Sequence, residues 1–366
     1  MNTLRTLRLP IAVAALACTS VLTLSARAAD DRAAKTGTPH KADADMQAVL
    51  DTLGAMNGKP IETLEPAEAR KQPTPTDAVM AVLKKKGKDT SPAALVPGVT
   101  STDSTIPGPA GALPVRIYTP DGAGPFPVVV YYHGGGWVLA DKNVYDGGAR
   151  GIAKQAGAVV VSVDYRLAPE AKFPAQHDDA LATYKWALVN AASIKGNPKR
   201  VALAGESAGG NLALATAIAA RDQNLQKPTH VIAVYPVAQA TNLDTPSYRD
   251  SVAAKPLNKP MMEWFAKHTF GKPGDSKDWR IDLVNANLKG LPPVTLINAQ
   301  IDPLRSDSDM LAASLKKAGV KVEHKIYAGT THEFFGMAAV VADAKDAQAL
   351  AGEHLKESFR KDATPW

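Results

Sequence analysis

The chain has a single cysteine among its 366 residues, Cys18, which lies inside the first apolar run. A protein cleaved after that run has no cysteine left, which excludes a disulfide framework. Charge of one sign is lacking too. The formal charge of +6 falls to +3 once Arg5, Arg8 and Arg27 are removed, with 39 basic residues against 36 acidic ones. That balance names no partner. The one basic run, Lys84-Lys85-Lys86, is short and has no interleaved aromatics, so it reads as a solvated helix end, and no nucleic-acid partner is expected. Long hydrophobic runs are missing as well. The stretch from Leu9 to Leu24 falls short of the roughly 20 apolar residues a membrane span needs. Arg5 and Arg8 precede it, and Ala26-Arg27-Ala28 with Asp30 and Asp31 follow. That pattern predicts a secretory signal peptide over residues 1–28 and an exported, periplasmic or secreted, mature protein with no stable membrane span. Lipidation at Cys18 is disfavoured, because apolar Val21-Leu22-Thr23-Leu24 would then begin the mature chain.

What remains is ordinary globular material, 45% apolar and 21% charged, with no internal repeat. Residues 29–45 are polar and rich in Ala, Lys and Asp, the composition of a flexible leader. Structure is expected from about Met46, where Met46, Val49, Leu50 and Leu53 have helical spacing, and Ala78 to Leu83 offers a second short helix. These place a helical appendage over 46–102. From about residue 103 strands alternate with helices. The predicted strands are Pro114 to Tyr118, Val128 to Tyr132, Ala158 to Val163, Arg200 to Ala204, His230 to Tyr235, Val294 to Asn298 and Lys321 to Tyr327. The predicted helices include Ala175 to Ala191, Ser207 to Arg221 and Ser306 to Ala318. Near-continuous apolar strands separated by helices indicate an α/β fold with a mostly parallel sheet covered on both faces. Residues 237–290 interrupt the rhythm with an apolar-anchored insertion too long for a simple loop, which reads as a lid.

Gly205-Glu206-Ser207-Ala208-Gly209 sits between the apolar run Val201 to Ala204 and a helix-like segment. A serine hydroxyl becomes a useful nucleophile only when a sharp turn lifts it toward a base, and flanking glycines permit that turn. Asp302 follows the strand ending at Asn298, at the carboxyl end of the sheet, with a helix N-cap as its bland alternative. His332 follows the last strand through Gly329-Thr330-Thr331. Of the other histidines, His324 falls in a strand, His354 in the last helix and His40 in the leader. The order Ser207, Asp302, His332 is that of an α/β-hydrolase triad. His133-Gly134-Gly135-Gly136-Trp137 ends an early strand. Backbone N–H groups of two of Gly134, Gly135 and Gly136, with that of Ala208, can converge on an oxyanion. His133 itself reads as a structural residue of that loop. His332-Glu333-Phe334-Phe335-Gly336 has glycine where a zinc helix needs its second histidine, and residues 205–210 lack the Lys-Ser/Thr pair of a phosphate loop, so no metal and no cofactor is called for.

Taken together, these motifs resemble the hormone-sensitive-lipase-like (family IV) carboxylesterases of the α/β-hydrolase superfamily, from about Met46 to the C-terminus. Ile106-Pro107-Gly108-Pro109, Asp164-Tyr165-Arg166-Leu167-Ala168-Pro169-Glu170 and Asp302-Pro303-Leu304-Arg305 belong to the likeness as well. The resemblance implies a carboxylic-ester hydrolase without a cofactor, with Ser207 as nucleophile, His332 as base and Asp302 orienting it. It also implies a helical cap built from the N-terminal segment and the 237–290 insertion on a catalytic domain of residues 103–366, and small uncharged esters of short to medium acyl chain as substrates. Trp137 and the insertion's Met261, Met262, Trp264 and Phe265 are candidates for the substrate pocket, with plain core the alternative for the last four. Two positions depart from the family: Glu206 where aspartate is commonest before the serine, and Glu333 where glycine usually follows the histidine. A carboxylate so near His332 is expected to raise its pKa or alter the substrate mouth. Hydrolysis of an amide, lactone or carbamate by the same residues is the alternative activity. A non-catalytic receptor on this fold would be expected to have lost a triad member. The sequence sets no oligomeric state.

Overall fold

A computed structural model describes residues 40–252 and 254–361. The expected signal peptide and residues 29–39 of the expected leader lie outside the described residues. The fold is a single eight-stranded sheet: β1 (Val99–Gly108), β2 (Gly111–Pro120), β3 (Phe126–Tyr132), β4 (Val159–Val163), β5 (Gly196–Glu206), β6 (Val231–Val234), β7 (Val294–Ile301) and β8 (Val322–Thr331), in the spatial order β1-β2-β4-β3-β5-β6-β7-β8. β2 runs antiparallel to both of its neighbours, and β3 to β8 are parallel.

The strand sequences account for that arrangement. Every residue of β4 and β6 is buried, as are Val128 to Tyr132 of β3, so both faces of the sheet are covered. Alternation sorts their side chains into two layers. Val128, Val130 and Tyr132 pack with α4 (Ala175–Asn190), α5 (Ala208–Asp222) and α7 (Arg305–Lys317), through Tyr184, Leu212, Ile218, Leu311 and Leu315. Val129 and Tyr131 face α3 (Asp146–Ala156) and α8 (Ala342–Lys361), through Ile152, Ala347, Leu355 and Phe359. Each fully buried valine or leucine contributes about 1.5–3 kcal/mol of transfer free energy.

Structure starts earlier than the sequence suggests. Helix α1 (Ala44–Ala55) begins two residues before Met46, and Asp43 N–H donates to Gly329 O at 2.9 Å. Asp45 accepts from Ala342 N at 2.8 Å, so the end of the expected leader is tied to the fold. Helix α2 (Pro75–Lys85) extends the short helix expected at Ala78; a reciprocal capping box between Thr74 and Asp77 sets its start. A boundary at 102/103 is also corrected, since β1 already runs from Val99 and belongs to the sheet. This strand has a solvent-exposed Thr-Ser-Thr-Asp-Ser-Thr centre and pairs only with β2 at the sheet edge. It therefore carries no hydrophobic alternation to betray it. Between β6 and β7, helices Pro246–Asp250 and α6 (Lys259–Thr269) occupy the insertion; Asn258 caps α6 by accepting from Met261 N at 2.9 Å.

Among the described residues, no helix is long and apolar enough to cross a membrane.

Candidate active site

The chain leaves β3 for β4 on one side and returns to β5 on the other, so a crevice opens where β3 and β5 end side by side. The glycine loop after β3 and Ser207 after β5 meet there. Ser207 has φ 56° and ψ −119°, a strained conformation for a residue with a side chain. The strain is held by hydrogen bonds on both sides: Ser207 N–H donates to Val234 O at 2.8 Å, and its carbonyl accepts from Asn211 N at 3.1 Å and Val237 N at 3.2 Å. At Gly209 any Cβ would lie 2.0 Å from Tyr132 O, so the first turn of α5 can press against the end of β3 only without a side chain.

His332 Nε2 lies 2.9 Å from Ser207 Oγ, and its Nδ1 lies 2.7 Å from Asp302 Oδ2. The other oxygen of Asp302 accepts from Leu304 N at 2.8 Å, which fixes the carboxylate plane. All three residues are buried. With Nδ1–H donated to Asp302, Nε2 is left as an acceptor for the serine proton.

Ser207 and His332 open onto a cavity of about 450 Å³, also lined by Gly135, Gly136, Trp137, Met261, Met262, Phe265 and Glu333. Gly135 and Gly136 have left-handed φ of 91° and 59°. Gly134 lies away from the cavity, where a Cβ would strike Tyr145 Oη at 2.3 Å and approach Glu206 O. Of the five expected pocket residues, Trp264 is the exception. It packs on His268 and Phe265, and its Nε1–H donates to Leu64 O at 2.9 Å, joining the insertion to the N-terminal segment outside the cavity. His133 holds the loop through a 2.8 Å contact between Nδ1 and Gly134 O and by stacking on Tyr165, whose hydroxyl donates to His133 O. A smaller hollow of about 210 Å³ lies at the opposite end of the sheet among Thr229, His230, Thr295 and His354, away from these residues.

The family described as alpha/beta hydrolase fold matches residues 129–336, the stretch that holds the glycine loop, the elbow and both triad partners. The chain belongs to this family. Carboxylesterase NlhH of Mycobacterium tuberculosis is 39% identical over 254 residues, 68% of this chain and 79% of the relative. Ethyl acetate hydrolase of Pseudomonas putida is 31% identical over 86% of this chain and 98% of its own. Among solved structures, the hyperthermophilic esterase from Pyrobaculum calidifontis superposes with a TM-score of 0.77 at 32% identity, covering 88% of this chain and all of the other. The hydrolase is accordingly a carboxylic-ester hydrolase of the hormone-sensitive-lipase-like type.

The hydrolase surrounds His332 with carboxylates. Burial works against protonation of the imidazole, yet Asp302, then Glu333 and Glu206, hold its pKa above the ordinary histidine value. Glu206 lies beneath the elbow, where Tyr131 and Tyr235 donate their hydroxyls to its two oxygens. Burial, and then the charge of Glu333, push Glu206 up to about 8. Glu333 Oε1 accepts from Tyr145 Oη at 2.6 Å and stands 3.9 Å from His332 Nε2. Burial raises its pKa, while His332 and Tyr145 pull the other way. Glu206 and Glu333 stand out in the sequence as departures from the family pattern, whereas the three tyrosines do not. Tyr131 and Tyr235 stand at the carboxyl ends of β3 and β6, where their position was the available signal; Tyr145 had none.

Proposed function

We propose that the hydrolase cleaves small, uncharged carboxylic esters of short to medium acyl chain through an acyl-enzyme on Ser207. The observation that carries this reading is the buried Asp302–His332–Ser207 relay facing the cavity beside the glycine loop. Ser207 Oγ attacks the ester carbonyl as His332 Nε2 takes its proton. The N–H groups of Gly135, Gly136 and Ala208 receive the oxyanion, a role supported by the two glycines' place on the cavity wall beside Ser207. The tetrahedral intermediate collapses, the carbon–oxygen bond to the alcohol breaks, and Nε2 hands its proton to the leaving oxygen. Water then enters, gives a proton to Nε2 and attacks the acyl carbon, which releases the acid and restores Ser207.

Size selection follows from the walls. Phe265, Met261 and Met262 close an apolar space over the loop, with the N-terminal segment and the insertion together acting as a cap. The charged residues on the lining, Lys59, Glu62, Arg70, Lys255 and Glu333, are of both signs, and Arg70 is already paired with Glu170 at 2.8 Å. They form no pocket for a charged acyl group. A series of p-nitrophenyl esters of increasing acyl length tests this reading. Maximal kcat/KM at short or medium chains is expected, and a rate still climbing at dodecanoate and beyond would contradict it. Export by the residue 1–28 segment is part of the same proposal; the intact mass of the protein recovered from the periplasm or medium, beginning after Ala28, checks it.

A further inference from the structure

Glu333 occupies an uncommon place for a glutamate. Its backbone is left-handed, with φ 72°, a conformation that glycine adopts freely and a residue with a side chain adopts at a cost. The side chain gains little structural support in return. Tyr145 donates one hydrogen bond, and the buried Glu206 carboxyl nearby opposes a second negative charge. That one bond nevertheless sets where the carboxylate stands, because Tyr145 is itself buried beside the His133 ring, with centroids 5.9 Å apart. It is held on the wall of the cavity that contains Ser207, 3.9 Å from the imidazole nitrogen that must deliver a proton to the leaving oxygen.

That distance limits what a substrate can place there. The leaving oxygen sits one hydrogen bond from Nε2. A hydroxyl on the next carbon of the alcohol, gauche to it, lies a similar distance further on, and an O–H···O bond of about 2.7 Å then reaches a carboxylate oxygen. The loop from Nε2 through leaving oxygen and hydroxyl to Glu333 closes across the 3.9 Å gap without moving either side chain. A carboxylate oxygen accepts from a hydroxyl in its charged form and, through its carbonyl oxygen, in its neutral form.

We propose that Glu333 is a specificity-determining residue that binds a hydroxyl of the leaving alcohol, so that preferred substrates are monoacyl esters of vicinal diols and polyols. This rests on the esterase reading above. The bond broken is still the acyl carbon–oxygen bond, and the proton that leaves with the diol is the one His332 took from Ser207. Glu333 neither gains nor loses a proton in the cycle.

The test compares 2-hydroxyethyl butyrate with 2-methoxyethyl butyrate, which keeps the second oxygen and removes its donor. The full hydrolase is expected to favour the hydroxyl ester by about tenfold in kcat/KM, the range of one hydrogen bond to a carboxylate. Glu333→Gly, which removes the acceptor and relaxes the backbone, is expected to bring that ratio toward unity, and Glu333→Gln, which keeps a carbonyl acceptor but loses the charge, is expected to lower it in part. A ratio near one in the unsubstituted protein overturns the inference whether or not a variant folds, as does a ratio unchanged in both variants. If p-nitrophenyl butyrate is turned over while the two esters are not distinguished, the inference fails and the esterase reading stands. If p-nitrophenyl butyrate is not turned over either, both fail.

Discussion

The ring of Tyr235 packs against the imidazole of His332, with centroids 4.4 Å apart, while its hydroxyl donates to the buried carboxyl of Glu206. One side chain thus joins the histidine above the elbow to the carboxyl below it, so the protonation of Glu206 and the field at His332 belong to one network.

Stability should reflect that network. Burial pushes both Glu206 and Asp307 up to about 8. The folded state therefore keeps protons that the unfolded chain releases near the ordinary carboxyl range. This contribution is fully present below that range and is lost as pH rises through about 8. His332, also raised, acts in the same direction. The thermal midpoint is expected to fall between about pH 6 and pH 9, and Glu206→Gln should flatten part of the fall. A midpoint that rises over this interval would contradict the assignment.

Activity has the opposite pH dependence. His332 must be neutral to take the serine proton, so kcat/KM should rise with pH through an apparent pKa above that of an ordinary histidine. Glu333→Gln removes one of the carboxylates that hold it up, and the acid limb of the profile is expected to move to lower pH. An unmoved limb would show that the carboxyl group does not act on the base.

Gly136 tests the oxyanion loop. At φ 59° its Cβ would fall 2.2 Å from the Phe265 ring, so Gly136→Ala forces either the loop or helix α6 to move. Loss of one aligned oxyanion donor costs about 10²–10³ in kcat. That fall, with an unchanged far-ultraviolet circular dichroism spectrum, is the expected result; full activity would place the oxyanion elsewhere.

Arg70 tests how the N-terminal segment is held over the cavity. Its guanidinium donates to Val138 O at 2.8 Å and Ala168 O at 2.7 Å, and to both oxygens of Glu170. Glu170 is 64% exposed, so the ion pair itself adds little. The two carbonyl contacts matter more, and Arg70→Ala is expected to cost about 1–2 kcal/mol in unfolding free energy and to raise KM more than it lowers kcat.

The contents of the site were legible in the sequence to different depths. Ser207, Asp302 and His332 could be read because each follows directly on a strand whose apolar run is unmistakable, and in an open α/β sheet those ends meet. Strand β1 could not be read, since an exposed edge strand made of Thr, Ser and Asp has neither an apolar run nor alternation. Trp264 and Phe265 are neighbours on one helix, yet only Phe265 faces the cavity, and the choice depends on how α6 rolls against Leu64. The contact between Tyr145 and Glu333 spans 188 positions of chain and left no local trace.

The central claim is that Ser207, activated by His332, carries the acyl group. Its most direct test is the hydrolysis of p-nitrophenyl butyrate by the unsubstituted hydrolase and by Ser207→Ala, both with matched circular dichroism spectra. The substitution is expected to lower kcat by about 10⁴-fold or more. Equal turnover by the two proteins would contradict it.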